Sequence, residues 1–268
     1  MHPIAFQFGS FTVHWYGVLV ALGFFLGIWT ASRRGLRDGL PADAILDSGF
    51  WLLLGTLVGA RTLHVLSYWK QDFASQPHPF LEIFMIQKGG LVFYGGFIGA
   101  SLAVIFYTRI KKIPLWKFAD ALAPSIALGY FFGRFGCLMT GCCFGKVCHA
   151  PWAIQFPPGH ETHPLDMAEG IPVHPTQIYV AFLSLGLYFF LAWLYRRKKF
   201  DGQIFAVYLV CYAVLRSFVE MFRGDYKPRE YFWGLSPGQA MSVFVFSFGI
   251  FLFWKFSPRK ITPPNFIP

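Results

Sequence analysis

Charge is what this chain has least of: 13% of its 268 residues are charged, and 13 are acidic against 23 basic. A soluble domain carries about 25% charged residues, so a deficit of this size excludes an ordinary water-facing surface. The residues before the first long apolar run, MHPIAFQFGSF, hold no cationic segment, and no A-x-A-like site follows them. A cleavable leader is therefore not expected, and the first apolar run is expected to stay as an anchor. Low-complexity tracts, internal repeats and a linker to a soluble module are also missing, which predicts a single polytopic membrane domain over residues 1–268.

Apolar residues fill the space that charge leaves: 55% of the chain is hydrophobic, 20% is aromatic, and the mean hydropathy is +0.48. Windows of about 19 residues give seven candidate spans, near 13–32, 45–67, 91–108, 118–135, 175–195, 203–221 and 238–256. The expected fold class is an all-α integral membrane protein with about seven transmembrane helices. The third and fourth spans carry the weakest signal, being short and rich in glycine. Ile4, Phe6 and Phe8 alternate with smaller or polar neighbours before the first span, a pattern open to a segment lying in the outer interface.

Basic residues orient the spans. Arg33, Arg34 and Arg37 follow the first span; Arg109, Lys111, Lys112 and Lys117 the third; Arg196, Arg197, Lys198 and Lys199 the fifth; Lys255, Arg259 and Lys260 the seventh. All four clusters share one side only with the N-terminus outside and the C-terminus cytoplasmic. The net charge of +10 is then a topology signal facing an anionic inner leaflet, and no nucleic acid partner is expected. The opposite loops are 69–90, 136–174 and 222–237. The second is long, rich in Pro, His and Gly, and holds four of the five cysteines.

Ionisable residues inside apolar spans are functional-site candidates. Here they are Arg61, Arg134, Arg216 and Glu220, with Arg223 beyond. Arg216, Glu220 and Arg223 are spaced to share a helix face. Glu220 can neutralise one or both arginines as packing, or the surplus of arginine can await an anion, for which the guanidinium's bidentate fit to phosphate is suited. Gly89, Gly90, Gly95, Gly96, Gly99, Gly129, Gly133 and Gly136 allow close approach of a helix or of a substrate chain.

Cys137, Cys142, Cys143 and Cys148 fall within twelve residues, beside His149, and Cys211 stands alone in the sixth span. Three readings are open for the cluster: disulfides or small packing residues, a metal site, and a catalytic thiol. The first three cysteines lack a C-x-x-C gap, and surplus arginines oppose a cation, so no metal or other cofactor is expected.

The topology, with HWYG at 14–17, GGLVFYGGFIG at 89–99, GRFG at 133–136, HPTQIY at 174–179 and RSFVEMFR at 216–223, resembles the prolipoprotein diacylglyceryl transferase family. The resemblance implies a multi-pass enzyme of the bacterial inner (cytoplasmic) membrane with its site toward the outer leaflet. Such an enzyme moves the diacylglyceryl group of phosphatidylglycerol to the lipobox cysteine of a prolipoprotein signal region and releases glycerol 1-phosphate. Its partners would be phosphatidylglycerol, that peptide and membrane lipid.

The resemblance carries catalytic roles onto Arg134 and Arg216. It carries substrate contacts onto Tyr16, Arg61, Gly95, Gly96, Gly145, Glu220 and Arg223, and it matches Asp120 to an aspartate before the signature helix. Where the family keeps Asn and Glu in the signature, this chain has Cys137, Thr140 and Cys142, which enter as substrate-site positions. Tyr94 replaces the family's histidine, and Val180 the acid closing HPTQIY. Tyr94 and His174 are the candidates for activating the acceptor thiol. Cys137 or Cys142 accepting the lipid as a covalent relay is a further possibility, as are a fold that binds lipid without catalysis, a transferase with another acceptor, and a metal or redox protein.

Overall fold

A computed structural model describes residues 3–9, 11–74, 79–85, 89–156, 170–223 and 234–257. Among these, seven helices are long and apolar enough to cross a membrane, in agreement with the span count. The first is α1 (Trp15–Arg37), preceded by an antiparallel hairpin of β1 (Ile4–Phe8) and β2 (Phe11–His14). There follow α2 (Ala42–Tyr68), a short α3 (Pro79–Glu82), α4 (Phe93–Ile110), α5 (Leu115–Thr140), α6 (Thr176–Tyr195), α7 (Gln203–Glu220) and α8 (Pro237–Phe256). A single π turn over Trp69–Phe73 extends α2.

The chain divides into two compact units, one of residues 32–118 and one of residues 1–31 with 119–268. In the first, α2 and α4 pack through glycine. A Cβ on Gly55 would lie 2.7 Å from the Gly99 carbonyl oxygen, and one on Gly95 would lie 2.6 Å from Leu63. Gly96 likewise faces Thr56 and Ala60. Small residues let helix backbones meet where apolar burial alone gives no drive to associate. These glycines therefore serve helix packing, one of the two alternatives that the sequence leaves open.

In the second unit α1 meets α5. Ser125 Oγ donates to the Gly27 carbonyl at 2.5 Å and lies 3.0 Å from Thr30 Oγ1, while Gly23 faces the Phe132 side chain. Asp120 stands inside α5, not ahead of it, and is fully buried. Its carboxylate accepts from the backbone N–H of Gly202 at 2.8 Å and of Phe205 at 3.0 Å, with Lys198 Nζ 3.6 Å away. A carboxylate at the start of α7 meets that helix's exposed N–H groups and its positive end, which explains an acid inside an apolar span. From Asp120 to Thr140 the helix rises about 30 Å, the thickness of a bilayer's hydrocarbon core. Asp120 and the cationic loop after α6 thus mark one end of this unit, and the cysteines mark the other.

Candidate active site

The signature GRFGCLMTGCCFG begins inside α5. Arg134 stands six residues before the helix end, about 9 Å along the axis from Thr140. An arginine at that depth needs a local partner. It finds one a turn earlier in Tyr130, whose hydroxyl accepts from Arg134 Nη2 and whose ring lies 4.6 Å beneath the guanidinium carbon. Tyr130 in turn meets Tyr212 of α7 edge-on at 5.8 Å, and Tyr212 stacks on Tyr208 at 5.9 Å. Tyr130, Tyr212 and Arg216 line a small cavity of about 20 Å³ with Val180, Ser184 and Val219. Arg134 and Arg216 therefore flank one tyrosine pair between α5 and α7.

Arg216 and Glu220 form a 2.8 Å ion pair one turn apart on α7, as the spacing predicts. The buried Glu220 carboxylate also accepts from Ser236 Oγ at 2.8 Å, and a Cβ on Gly238 would lie 2.6 Å from its carboxyl carbon. Ser236 caps α8 with Gln239 in a reciprocal capping box, and Glu220 sits against that helix start. The third member of the predicted ladder differs. α7 ends at Glu220, and Arg223 lies beyond it, opposite Gly145 in an isolated antiparallel bridge. Helical spacing does not place Arg223; the strand-like bridge does.

That bridge ties the signature to the rest of the unit. Gly145 N–H donates to the His174 carbonyl at 2.9 Å and Lys146 N–H to the Phe222 carbonyl at 2.8 Å. Thr176 Oγ1 donates to the Cys143 carbonyl at 2.6 Å, and Gln177 Nε2 to the Cys142 carbonyl at 2.7 Å. A Cβ on Gly145 would come within 2.6 Å of both His174 Cβ and the Phe222 carbonyl oxygen, so only glycine lets the three strands meet. Phe144, Phe156 and Val173 form a small core behind them.

His174 opens α6 with Pro175 at the cap, one of the two roles the sequence allows it. Its Nδ1 lies 3.1 Å from the Tyr179 hydroxyl, which accepts from Trp152 Nε1 at 2.8 Å. The Tyr179 hydroxyl thus joins Trp152 to the His174 ring.

The cysteines separate into a group and two outliers. Cys148 is buried and accepts from the Ala150 N–H at 3.3 Å; Cys211 is on α7; the sulfurs of Cys137, Cys142 and Cys143 lie within 4.8 Å of one another. All five are free thiols, and His149 is not in the group. Two left-handed residues, Gly141 at φ 76° and Cys143 at φ 63°, turn the chain so that sequence neighbours converge. That conformation costs a non-glycine residue about 1–2 kcal/mol, and here it aims the Cys143 sulfur into the group. The Cys143 thiol is pulled below its ordinary range because the Cys137 and Cys142 thiols hydrogen-bond to it, with Arg134 and Arg223 adding positive charge. Tyr16 packs its ring on Gly136, where a Cβ would lie 2.9 Å away, and interacts electrostatically with Cys137, Cys142 and Arg134.

The structure thus gathers Tyr16, Arg134, Cys137, Cys142, Gly145, Arg216, Glu220 and Arg223 in one unit and shows a role there for Tyr130, Tyr212, Ser236 and Gly238, which sequence reasoning passed over. Arg61 and Tyr94 belong to the other unit. Arg61 donates to the carbonyls of Glu82 at 2.5 Å, Ile83 at 2.8 Å and Gly89 at 2.7 Å, bracing the chain between α3 and α4. His64 lies 3.2 Å from Asp72 across the π turn. Tyr94 is half exposed at the start of α4.

Similarity to known proteins extends over nearly the whole chain. The model of the family described as prolipoprotein diacylglyceryl transferase matches residues 3–255. A phosphatidylglycerol–prolipoprotein diacylglyceryl transferase of Clostridium tetani is 32% identical over 253 residues, covering 94% of this chain and 97% of the relative. One from Solidesulfovibrio magneticus is 34% identical over 265 residues, with 96% of each chain covered. One from Synechococcus elongatus is 31% identical over 268 residues, covering 97% of this chain and 90% of the relative.

Proposed function

The chain belongs to the prolipoprotein diacylglyceryl transferase family, and on that premise we propose how its own residues carry the transfer. The protein is a membrane-embedded transferase that moves the diacylglyceryl group of phosphatidylglycerol onto a prolipoprotein. In the reaction a cysteine thiolate of the acceptor attacks the glyceryl C3 carbon, the C–O bond to the phosphate breaks, and glycerol 1-phosphate leaves with the bonding pair. Charge grows on the departing phosphate, so cations fixed in advance where water is scarce lower the barrier most.

Arg134 and Arg216 are those cations. The observation that carries the assignment is their placement on either side of the Tyr130–Tyr212 pair, with Arg134 bonded to Tyr130 and Arg216 lining the small cavity beside Tyr212. Stacking and hydrogen bonding fix the Arg134 guanidinium, and the Glu220 carboxylate, held by Ser236, orients Arg216. Both are held in place before the donor arrives, so little ordering remains for the transition state. Tyr16 and Arg223 extend the site toward the cysteines. His174, whose Nδ1 lies 3.1 Å from the Tyr179 hydroxyl, is the candidate within this unit for taking the proton of the acceptor thiol. The family's Asn and Glu positions, now Cys137 and Cys142, shape the headgroup end.

The basic clusters support a site toward the outer leaflet of the bacterial inner membrane, with the N-terminus outside, and there the acceptor is the prolipoprotein signal region. Purified protein incubated with glycerol-labelled phosphatidylglycerol and a lipobox peptide tests the reading. The expected products are a thioether-linked diacylglyceryl peptide and released glycerol phosphate in equal amounts; headgroup release without peptide modification would contradict it.

A further inference from the structure

Three cysteines whose thiols take no chemical step in the transfer stand together where α5 ends. Their sulfurs lie within 4.8 Å of one another and hydrogen-bond among themselves, in a spacing of Cys-x4-Cys-Cys. A metal–thiolate bond is about 2.3 Å, so three sulfurs around one ion in a plane stand about 4.0 Å apart. The observed triangle meets that spacing after movements of less than about 1 Å. Among the described residues no fourth Cys, His, Asp or Glu joins the group, which fits a three-coordinate ion rather than a tetrahedral one. Soft thiolates select soft cations.

The arginines that argue against a cation when the sequence is read alone now argue for one of low charge. Three thiolates and a monovalent ion leave two negative charges, and two arginines, Arg134 and Arg223, act electrostatically on Cys143. We propose that Cys137, Cys142 and Cys143 form a three-thiolate site for a soft monovalent d10 cation of the cuprous class. Binding forms three metal–sulfur bonds and gives to solvent every proton that the three sulfurs still carry; no electron moves. The backbone is already shaped for it. Gly141 and Cys143 take the left-handed turn, and Thr176 and Gln177 pin the carbonyls of Cys143 and Cys142.

The complex draws on Arg134, which the proposed function gives to the donor phosphate, so occupancy of the thiolate site should oppose donor binding. This coupling rests on the headgroup reading, whereas metal binding itself does not.

The test titrates reduced, metal-free, full-length protein in detergent with buffered cuprous ion under anaerobic conditions. One ion per chain, a thiolate-to-copper charge-transfer band in the near ultraviolet and X-ray absorption with three sulfur neighbours are expected. Cys137→Ser, Cys142→Ser and Cys143→Ser should each weaken binding by at least about 100-fold, above the loss typical of an outer partner. Cys148→Ser and Cys211→Ser should bind as the parent does. No stoichiometric binding by the reduced parent, nitrogen or oxygen neighbours in place of sulfur, or unchanged binding in the three serine variants would overturn the site. The parent's stoichiometry and spectrum decide the matter even where a variant fails to fold. Copper bound on three sulfurs with phosphatidylglycerol affinity unchanged would instead remove Arg134 from the headgroup.

Discussion

Arg134 shows how one residue's neighbours decide its meaning. In the sequence it is a charge near the end of an apolar run; in the structure its guanidinium is stacked on Tyr130, bonded to the same ring's hydroxyl, and acted on by the Cys137 and Cys143 thiols. The same field acts on Cys143, whose thiol is held below its ordinary range by the Cys137 and Cys142 hydrogen bonds and by Arg134 and Arg223. A lowered folded value stabilises the fold above the unfolded pKa of about 8.5, and this contribution is lost as pH falls through the folded value. Cys143 in the metal-free protein should therefore react with iodoacetamide at a rate that stays nearly level from about pH 9 down to about pH 6, measured by peptide mass mapping. A fall of about tenfold per unit would mean an ordinary thiol there. Arg134, Arg216, Glu220 and Gly145 were legible in the sequence because charge in an apolar span and glycine in a motif are rare signals. Tyr130 and Tyr212 were not, since an aromatic on a membrane helix reads the same facing lipid or a guanidinium.

At the scale of elements, the spans were legible and their ends were not. The windows put the fourth span at 118–135, whereas α5 runs over Leu115–Thr140 and carries the first eight signature residues within the helix. Glycine and an internal proline, Pro124, lower its apparent propensity, and packing overrides them. Arg223 was misplaced for the opposite reason: helical spacing continued past Glu220, where the chain instead turns to pair with Gly145. Gly145→Ala tests that junction. Its Cβ would press on the backbone of Phe222 and on His174, costing on the order of 1–3 kcal/mol, so detergent melting temperature and transfer rate should fall together. Gly129→Ala, whose Cβ would meet nothing nearer than 3.9 Å, should melt at or above the parent's temperature. Equal melting of the two variants would show that the close approach at Gly145 carries no weight.

For the whole molecule, the charge pattern and the family agree on a seven-span transferase. The basic clusters further predict that both the N-terminus and the loop holding Cys148 face outside. Reporter fusions after residue 38 and after residue 150 in a cell-based topology assay should read cytoplasmic and external respectively; the reverse would invert the site. The central claim is that two arginines, on α5 and α7, hold the phosphate that leaves. The most direct measurement is the single-turnover transfer rate of Arg134→Lys and Arg216→Lys with saturating phosphatidylglycerol and a lipobox peptide. Lysine keeps the charge but loses the fork, so each rate should fall by about 100- to 1000-fold while the protein stays folded and still binds lipid. Rates within about threefold of the parent's would place the leaving phosphate elsewhere and contradict the account.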